Sequence, residues 1–175
     1  MGGGVSTGAV VAIDPGCIYT GMVHMDARRV IACSTAHFKE RVGSDNDALA
    51  RRCEEVWQAV REFLDTHPHD VVVVEGYRQY NGRGGMTMTH QTPWLVGALL
   101  AHLADAGEDY AIQLSAQVLN PKARGNAAWC MKRVKRGCAG VFRGQSELTN
   151  EHMRSAFAHG WYYLHTGEGA PHEEG

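Results

Sequence analysis

Ala9-Val10-Val11-Ala12-Ile13-Asp14-Pro15-Gly16 joins five apolar residues to one carboxylate and a turn signal. The apolar run is too short for a helix, and Asp-Pro-Gly is a sequence that a strand cannot run through. The stretch therefore reads as a buried strand with Asp14 at its carboxyl end. Downstream, residues 19–25 and 29–38 are rich in β-branched and apolar side chains and are separated by Asp26-Ala27-Arg28, which predicts two strands of a meander. Further out, Asp70 is followed by four valines and Glu75-Gly76. An unbroken apolar run of that kind marks a parallel strand covered on both faces, again with a carboxylate at its end.

Helices fill the intervals. Ser44 or Asp45 can cap a helix whose apolar residues Leu49, Cys53, Val56, Val60 and Phe63 recur every three or four positions and which must stop before Pro68. A second helix, from about Pro93 to Ala104, is apolar almost all round and is expected to be central. Tyr110 to Leu114 forms a last strand. A final helix is expected from an N-cap at Thr149 to about Leu164, with Met153, Phe157, Gly160 and Leu164 as its buried stripe. Glu151, His152, Ser155 and His159 share an adjacent arc, for which a solvated face is the simpler account of Glu151 and His159. Three extended segments, a helix, a strand, a helix, a strand and a helix predict an α/β sheet, part antiparallel and part parallel. One domain over 9–165 is expected, with flexible tails at 1–8 and 166–175.

The chain has 175 residues, 44% of them hydrophobic, which leaves room for one well-formed core. No apolar run approaches the roughly 18 residues of a membrane span, and Gly2 to Gly4 lack the flanks of a signal peptide, so a cytoplasmic protein is expected. Five cysteines (17, 33, 53, 130 and 138) without a Cys-x-x-Cys pair suggest reduced thiols, neither a disulfide framework nor a thiolate zinc site. The net charge of -2 conceals a division. Between Ser115 and Ser146 there is no acid, while Lys122, Arg124, Lys132, Arg133, Lys135, Arg136 and Arg143 give +7. The remaining 10 bases and 19 acids give -9 elsewhere. A basic segment in an acidic body favours phosphate contact over a merely solvated face.

In sheets of this kind, ligands sit beyond the carboxyl ends of the parallel strands, so Asp14 and Glu75 can meet there. Two such carboxylates repel each other unless a cation lies between them. Oxygen-only ligation points to Mg²⁺ or Mn²⁺ completed by substrate phosphate oxygens. If the polar face of the last helix reaches the same point, Glu151, His152 or His159 can add a ligand or a base for phosphodiester cleavage. The loop Asn81-Gly82-Arg83-Gly84-Gly85 matches no nucleotide-binding fingerprint. With Tyr77, Arg78, Tyr80 and Arg83 it suits either a surface loop or one that approaches nucleic acid.

Val11-Ala12-Ile13-Asp14-Pro15-Gly16 with Thr20-Gly21, then Val72-Val73-Val74-Glu75, then His152-Met153-Arg154-Ser155-Ala156 together resemble the RuvC-type Holliday-junction resolvases of the ribonuclease H-like superfamily. The compact form looks like the versions carried by bacteriophages. The resemblance implies a ribonuclease H-like fold with a five-stranded mixed sheet flanked by helices. It also implies a homodimer without membrane attachment, and Mg²⁺-dependent hydrolysis in which Mn²⁺ can substitute. The implied activity is that of a crossover junction endodeoxyribonuclease, which makes paired incisions in four-way, branched double-stranded DNA. Asp14 matches the first-strand metal ligand and Glu75 the fourth-strand carboxylate. In the family pattern H-x-x-D-A, His152 fits the His, but Ser155 stands where the Asp belongs. A hydroxyl is a poor substitute for a charged ligand, and Glu151 is the nearest replacement. The implied metal set is therefore Asp14, Glu75, Glu151 and His152, and the catalytic set adds Ser155. The resemblance further implies DNA contact by Tyr77, Arg78 and Tyr80 together with Arg83, and by Lys122, Arg124, Lys132, Arg133, Lys135 and Arg136. Ser155 also motivates a competing reading, a junction-binding protein with weak or no catalysis.

Overall fold

The computed structural model describes residues 8–39, 42, 45–76, 91–114, 118 and 148–166. Among them are strands β1 (Ala9–Asp14), β2 (Tyr19–Asp26) and β3 (Val30–His37), helix α1 (Asn46–Thr66), strand β4 (Val71–Gly76), helix α2 (Gln91–Ala106), strand β5 (Tyr110–Leu114) and helix α3 (Glu151–Thr166). The strands form one sheet in the order β3-β2-β1-β4-β5. Pairing is antiparallel between β1 and β2 and between β2 and β3, and parallel between β1 and β4 and between β4 and β5. The mixed α/β sheet expected from the element order is thus present, and no described helix is long and apolar enough to cross a membrane.

Strand alternation divides the core into two layers. Val11, Ile13, Met22, Val72 and Val74 face α1 and α2, and pack with Val56, Val60, Leu95, Leu99 and Leu103. Val10, Ala12, Val23, Met25 and Val73 face α3, and pack with Met153, Ala156, Phe157 and Trp161. Asp14 and Glu75 continue the second set by the same alternation, so both carboxylates lie on the α3 side. α2 differs from its expected central place. It buries Leu95, Val96, Leu99 and Leu103, while Trp94 is 65% exposed. It shares one face of the sheet with α1, so each helix needs only one buried stripe, and much of the remaining apolar surface of α2 is Gly97, Ala98, Ala101 and Ala104.

Two glycines set how closely α3 approaches the sheet. A Cβ on Gly160 would lie 2.9 Å from the Ala12 Cβ and 2.8 Å from the Met25 Sδ. A Cβ on Gly21 would collide with the backbone of His152. Asn150, not Thr149, caps α3: its Oδ1 accepts the Met153 N–H at 2.9 Å, and its Nδ2 donates to Thr35 Oγ1 at 2.6 Å. The first turn of α3 is thereby tied to β3 and seated over β2.

Candidate active site

The parallel register pairs Ile13 with Val74, so the next residues along, Asp14 and Glu75, emerge side by side. Their side chains keep only 17% and 16% of their surface exposed. The turn that follows Asp14 is built into the structure. Gly16 N–H donates to Thr20 Oγ1 at 3.3 Å, and the Thr20 hydroxyl donates back to the Gly16 carbonyl at 3.1 Å. The buried Arg52 of α1 donates to the Cys17 carbonyl and lies 4.8 Å from the Phe38 ring centroid. The Thr and Gly of the Asp-Pro-Gly-x-x-x-Thr-Gly stretch thus have separate duties: Thr20 clamps the turn and Gly21 admits α3.

α3 supplies a different partner to each carboxylate. His152 Nδ1 lies 2.9 Å from Asp14 Oδ2. Ser155 donates its hydroxyl to Glu75 Oε2 at 2.7 Å. One turn later, the fully buried His159 places Nε2 3.5 Å from the same Glu75 oxygen and Nδ1 3.3 Å from Gln113 Oε1 on β5. Gln113 is itself the register partner of Glu75. Burial pushes the Asp14 carboxyl up to about 6; the His152 bond works against that shift, and the charge of Glu75 adds to it. The His152 imidazole is raised in turn, first by its hydrogen bond with Asp14, with burial opposing and the charges of Asp14, Glu151 and Glu75 adding.

The arrangement gathers Asp14, Glu75, His152 and Ser155 and leaves Glu151 aside. Glu151 is exposed, and among the described residues it makes no hydrogen bond or ion pair with either carboxylate. His159 is fully buried behind Glu75, contrary to the solvated position expected for it. The helical spacing from Ser155 already put it on the same face, but only the strand register reveals Gln113. Tyr19, inside the first motif, is also at the site: its ring stacks on His152 with centroids 5.5 Å apart. Tyr77, Arg78, Tyr80, Arg83, Lys122, Arg124, Lys132, Arg133, Lys135 and Arg136 lie outside the described residues.

Among the described residues, no three His, Cys, Asp or Glu side chains form a ready-made metal-binding group. The donor set still fits a hard divalent cation. Asp14 and Glu75 are two adjacent carboxylates, and the Asp14 pKa is raised first by burial and further by the charge of Glu75. Mg²⁺ commonly uses only one or two carboxylates and takes its other ligands from water and substrate phosphate.

Among solved structures, Thermus thermophilus RuvC in complex with a Holliday-junction substrate superposes with a TM-score of 0.55 at 20% identity, covering 91% of this chain and 96% of that one. The chain has the RuvC-type ribonuclease H-like fold. Fowlpox virus resolvase in complex with Holliday-junction DNA also matches the RuvC-type fold of this chain, with a TM-score of 0.55 at 9% identity over 90% of this chain and 97% of that one. The yeast mitochondrial Holliday-junction resolvase gives 0.55 at 18% identity over 91% and 79%. No protein-family model and no curated protein matches the sequence.

Proposed function

We propose that the chain is a divalent-cation-dependent, structure-selective DNA endonuclease that acts in the cytoplasm as a homodimer on four-way junctions. The observation that carries this reading is the meeting of Asp14 and Glu75 at adjacent parallel strand ends, each held by its own residue from α3, within a RuvC-type fold. Asp14 and Glu75 would hold the cation, Mg²⁺ or Mn²⁺, which when bound supplies positive charge for a scissile phosphate and acidifies a water.

The chain's own residues do the rest. Ser155 fixes the Glu75 carboxylate with a neutral donor and so adds no negative charge to the pair. His152 gives Nδ1–H to Asp14, and among the described residues its Nε2 makes no hydrogen bond, which leaves that atom for the substrate. The hydrogen bond with Asp14 favours the protonated imidazole, and a proton on Nε2 would be available to the oxygen that leaves the phosphorus. The loop with Tyr77, Arg78, Tyr80 and Arg83, and the basic segment with Lys122, Arg124, Lys132, Arg133, Lys135 and Arg136, would supply junction affinity through phosphates and stacking.

The test is to incubate the purified chain with a synthetic four-way junction, a linear duplex and an RNA–DNA hybrid, with Mg²⁺ and with Mn²⁺. Selective cutting of the junction is expected. A second reading, a junction-binding protein without catalysis, draws on the neutral Ser155 beside Glu75. Tight junction binding without cutting in either cation would establish it in place of the first.

A further inference from the structure

Three aromatic rings form a row at the rim of the site. Tyr19 opposes His37 in the β2–β3 register, and their rings stack with centroids 4.5 Å apart and planes at 12°. Tyr19 also stacks on His152 at 5.5 Å and 25°, and His152 reaches Asp14 through Nδ1. The row thus runs from the edge strand β3 over β2 to the carboxylate on β1. Burial does not account for Tyr19, which is 39% exposed. Its hydroxyl does not either, since among the described residues it makes no hydrogen bond. What remains is the face of the ring.

His152 needs such a face. Its backbone is seated against Gly21 and its Nδ1 is held by Asp14, but one hydrogen bond leaves a ring that is 28% exposed free to swing about its Cβ–Cγ bond. We propose that Tyr19, braced by His37, is a positioning residue that fixes the plane of the His152 imidazole so that Nδ1–H stays on Asp14 while Nε2 faces the substrate phosphate. This rests on the endonuclease reading for its consequence, though not for its geometry. Aromatic pairs of this kind shift a conformational population by about 3- to 10-fold. The bracing comes from the π-face and not from the phenol, so phenylalanine should serve as well as tyrosine.

Two readouts on the full chain test this. The first is proton NMR of the DNA-free protein. Wild type and Tyr19→Phe should show the His152 Nδ1–H as a separate downfield resonance protected from solvent exchange, and Tyr19→Ala should lose it. The second is the single-turnover rate on a saturating four-way junction with Mg²⁺. Tyr19→Ala should cut about 10-fold more slowly at unchanged junction affinity, Tyr19→Phe should restore the rate, and Tyr19→Ala should cost nothing further in a His152→Ala background. A protected Nδ1–H in Tyr19→Ala overturns the proposal. So does an equal loss of rate with and without His152, or a loss of junction affinity in place of rate. If wild type does not cut at all, the endonuclease reading fails, and the NMR experiment alone decides the role of Tyr19.

Discussion

At the carboxyl ends of β1 and β4, His152 meets Asp14 at 2.9 Å and its imidazole is raised. Toward their amino ends, on the opposite face of the sheet, His24 is 5% exposed and among the described residues neither ring nitrogen is within hydrogen-bond geometry of a partner. His24 lies edge-on to His67 at 5.3 Å, and its pKa is lowered, first by burial and then by the His67 charge. Nearby, His69 is engaged with Glu108 at 3.1 Å. One residue type is therefore held in opposite protonation preferences by the same sheet. The difference lies in the partner. At one end a histidine is hydrogen-bonded to a carboxylate, and at the other burial and the charges of His67 and His69 outweigh the opposing effects of the Pro68 backbone and Asp26. At the first end, two adjacent carboxylates and the His152 imidazole are grouped at one strand edge.

Cleavage separates the two ends most strongly. His152→Ala is expected to slow junction cutting by up to about 100-fold, within the range of a lost general acid. His24→Phe, which keeps a buried ring, should cut at the wild-type rate. Equal losses at the two positions, measured as single-turnover rates, would erase the distinction.

Stability against pH separates them next, and with opposite signs. The folded Asp14 carboxyl titrates near 6 instead of 3.8, so between those values the folded chain holds more protons than the unfolded one, and stability falls as pH rises. In the cation-free protein, Asp14→Asn should therefore be more stable than wild type above pH 6, by at most about 3 kcal/mol at roughly 1.4 kcal/mol per pKa unit. The two should converge near pH 4, and added Mg²⁺ should narrow the gap by stabilising wild type. His24 runs the other way. Its folded pKa is below 6.5, so stability is lost as pH falls below 6.5, and His24→Phe should remove that loss. Urea titrations from pH 4 to 8 on the three proteins check both signs.

Packing sharpens the same contrast with a smaller effect. Gly21→Ala would drive a methyl group into the His152 backbone and should cost about 1–3 kcal/mol, the range for overpacking, together with part of the cleavage rate. Smaller still, Ser155→Ala removes the hydroxyl that Glu75 accepts, worth about 1 kcal/mol for one hydrogen bond. Its clearer signature should be a Mn²⁺ affinity about 10-fold weaker by calorimetry, as for other groups that orient a ligand.

Much of this frame was legible from periodicity and breakers. The Asp14-Pro15-Gly16 stop, the valine run ending at Glu75 and the stripe Met153, Phe157, Gly160 each correspond to an element in its place, because the residues that end or bury an element are local in sequence. Local sequence does not encode what packs on a helix. That is why α2 was expected at the centre and is found with one face exposed, and why Asn150 took the cap from its neighbour Thr149. Asp14 and Glu75 could be paired from their strand ends alone. Their partners could not be distinguished in the same way. Ser155, His159 and Glu151 all lie near one arc of α3, and only the height of the helix over the sheet, set by Gly21 and Gly160, brings the first two onto Glu75 and leaves Glu151 exposed.

The most direct test of the claim that Asp14 and Glu75 form a cation-dependent cleavage centre is the cutting rate on a four-way junction as Mg²⁺ is titrated, for wild type and Asp14→Asn side by side. Wild type should cut with a saturable Mg²⁺ dependence, and Asp14→Asn should bind the junction equally well yet cut at least about 100-fold more slowly at every concentration, a loss of about 3 kcal/mol or more of transition-state stabilisation. Equal rates for the two proteins, or wild-type cutting that persists unchanged in EDTA, would contradict it.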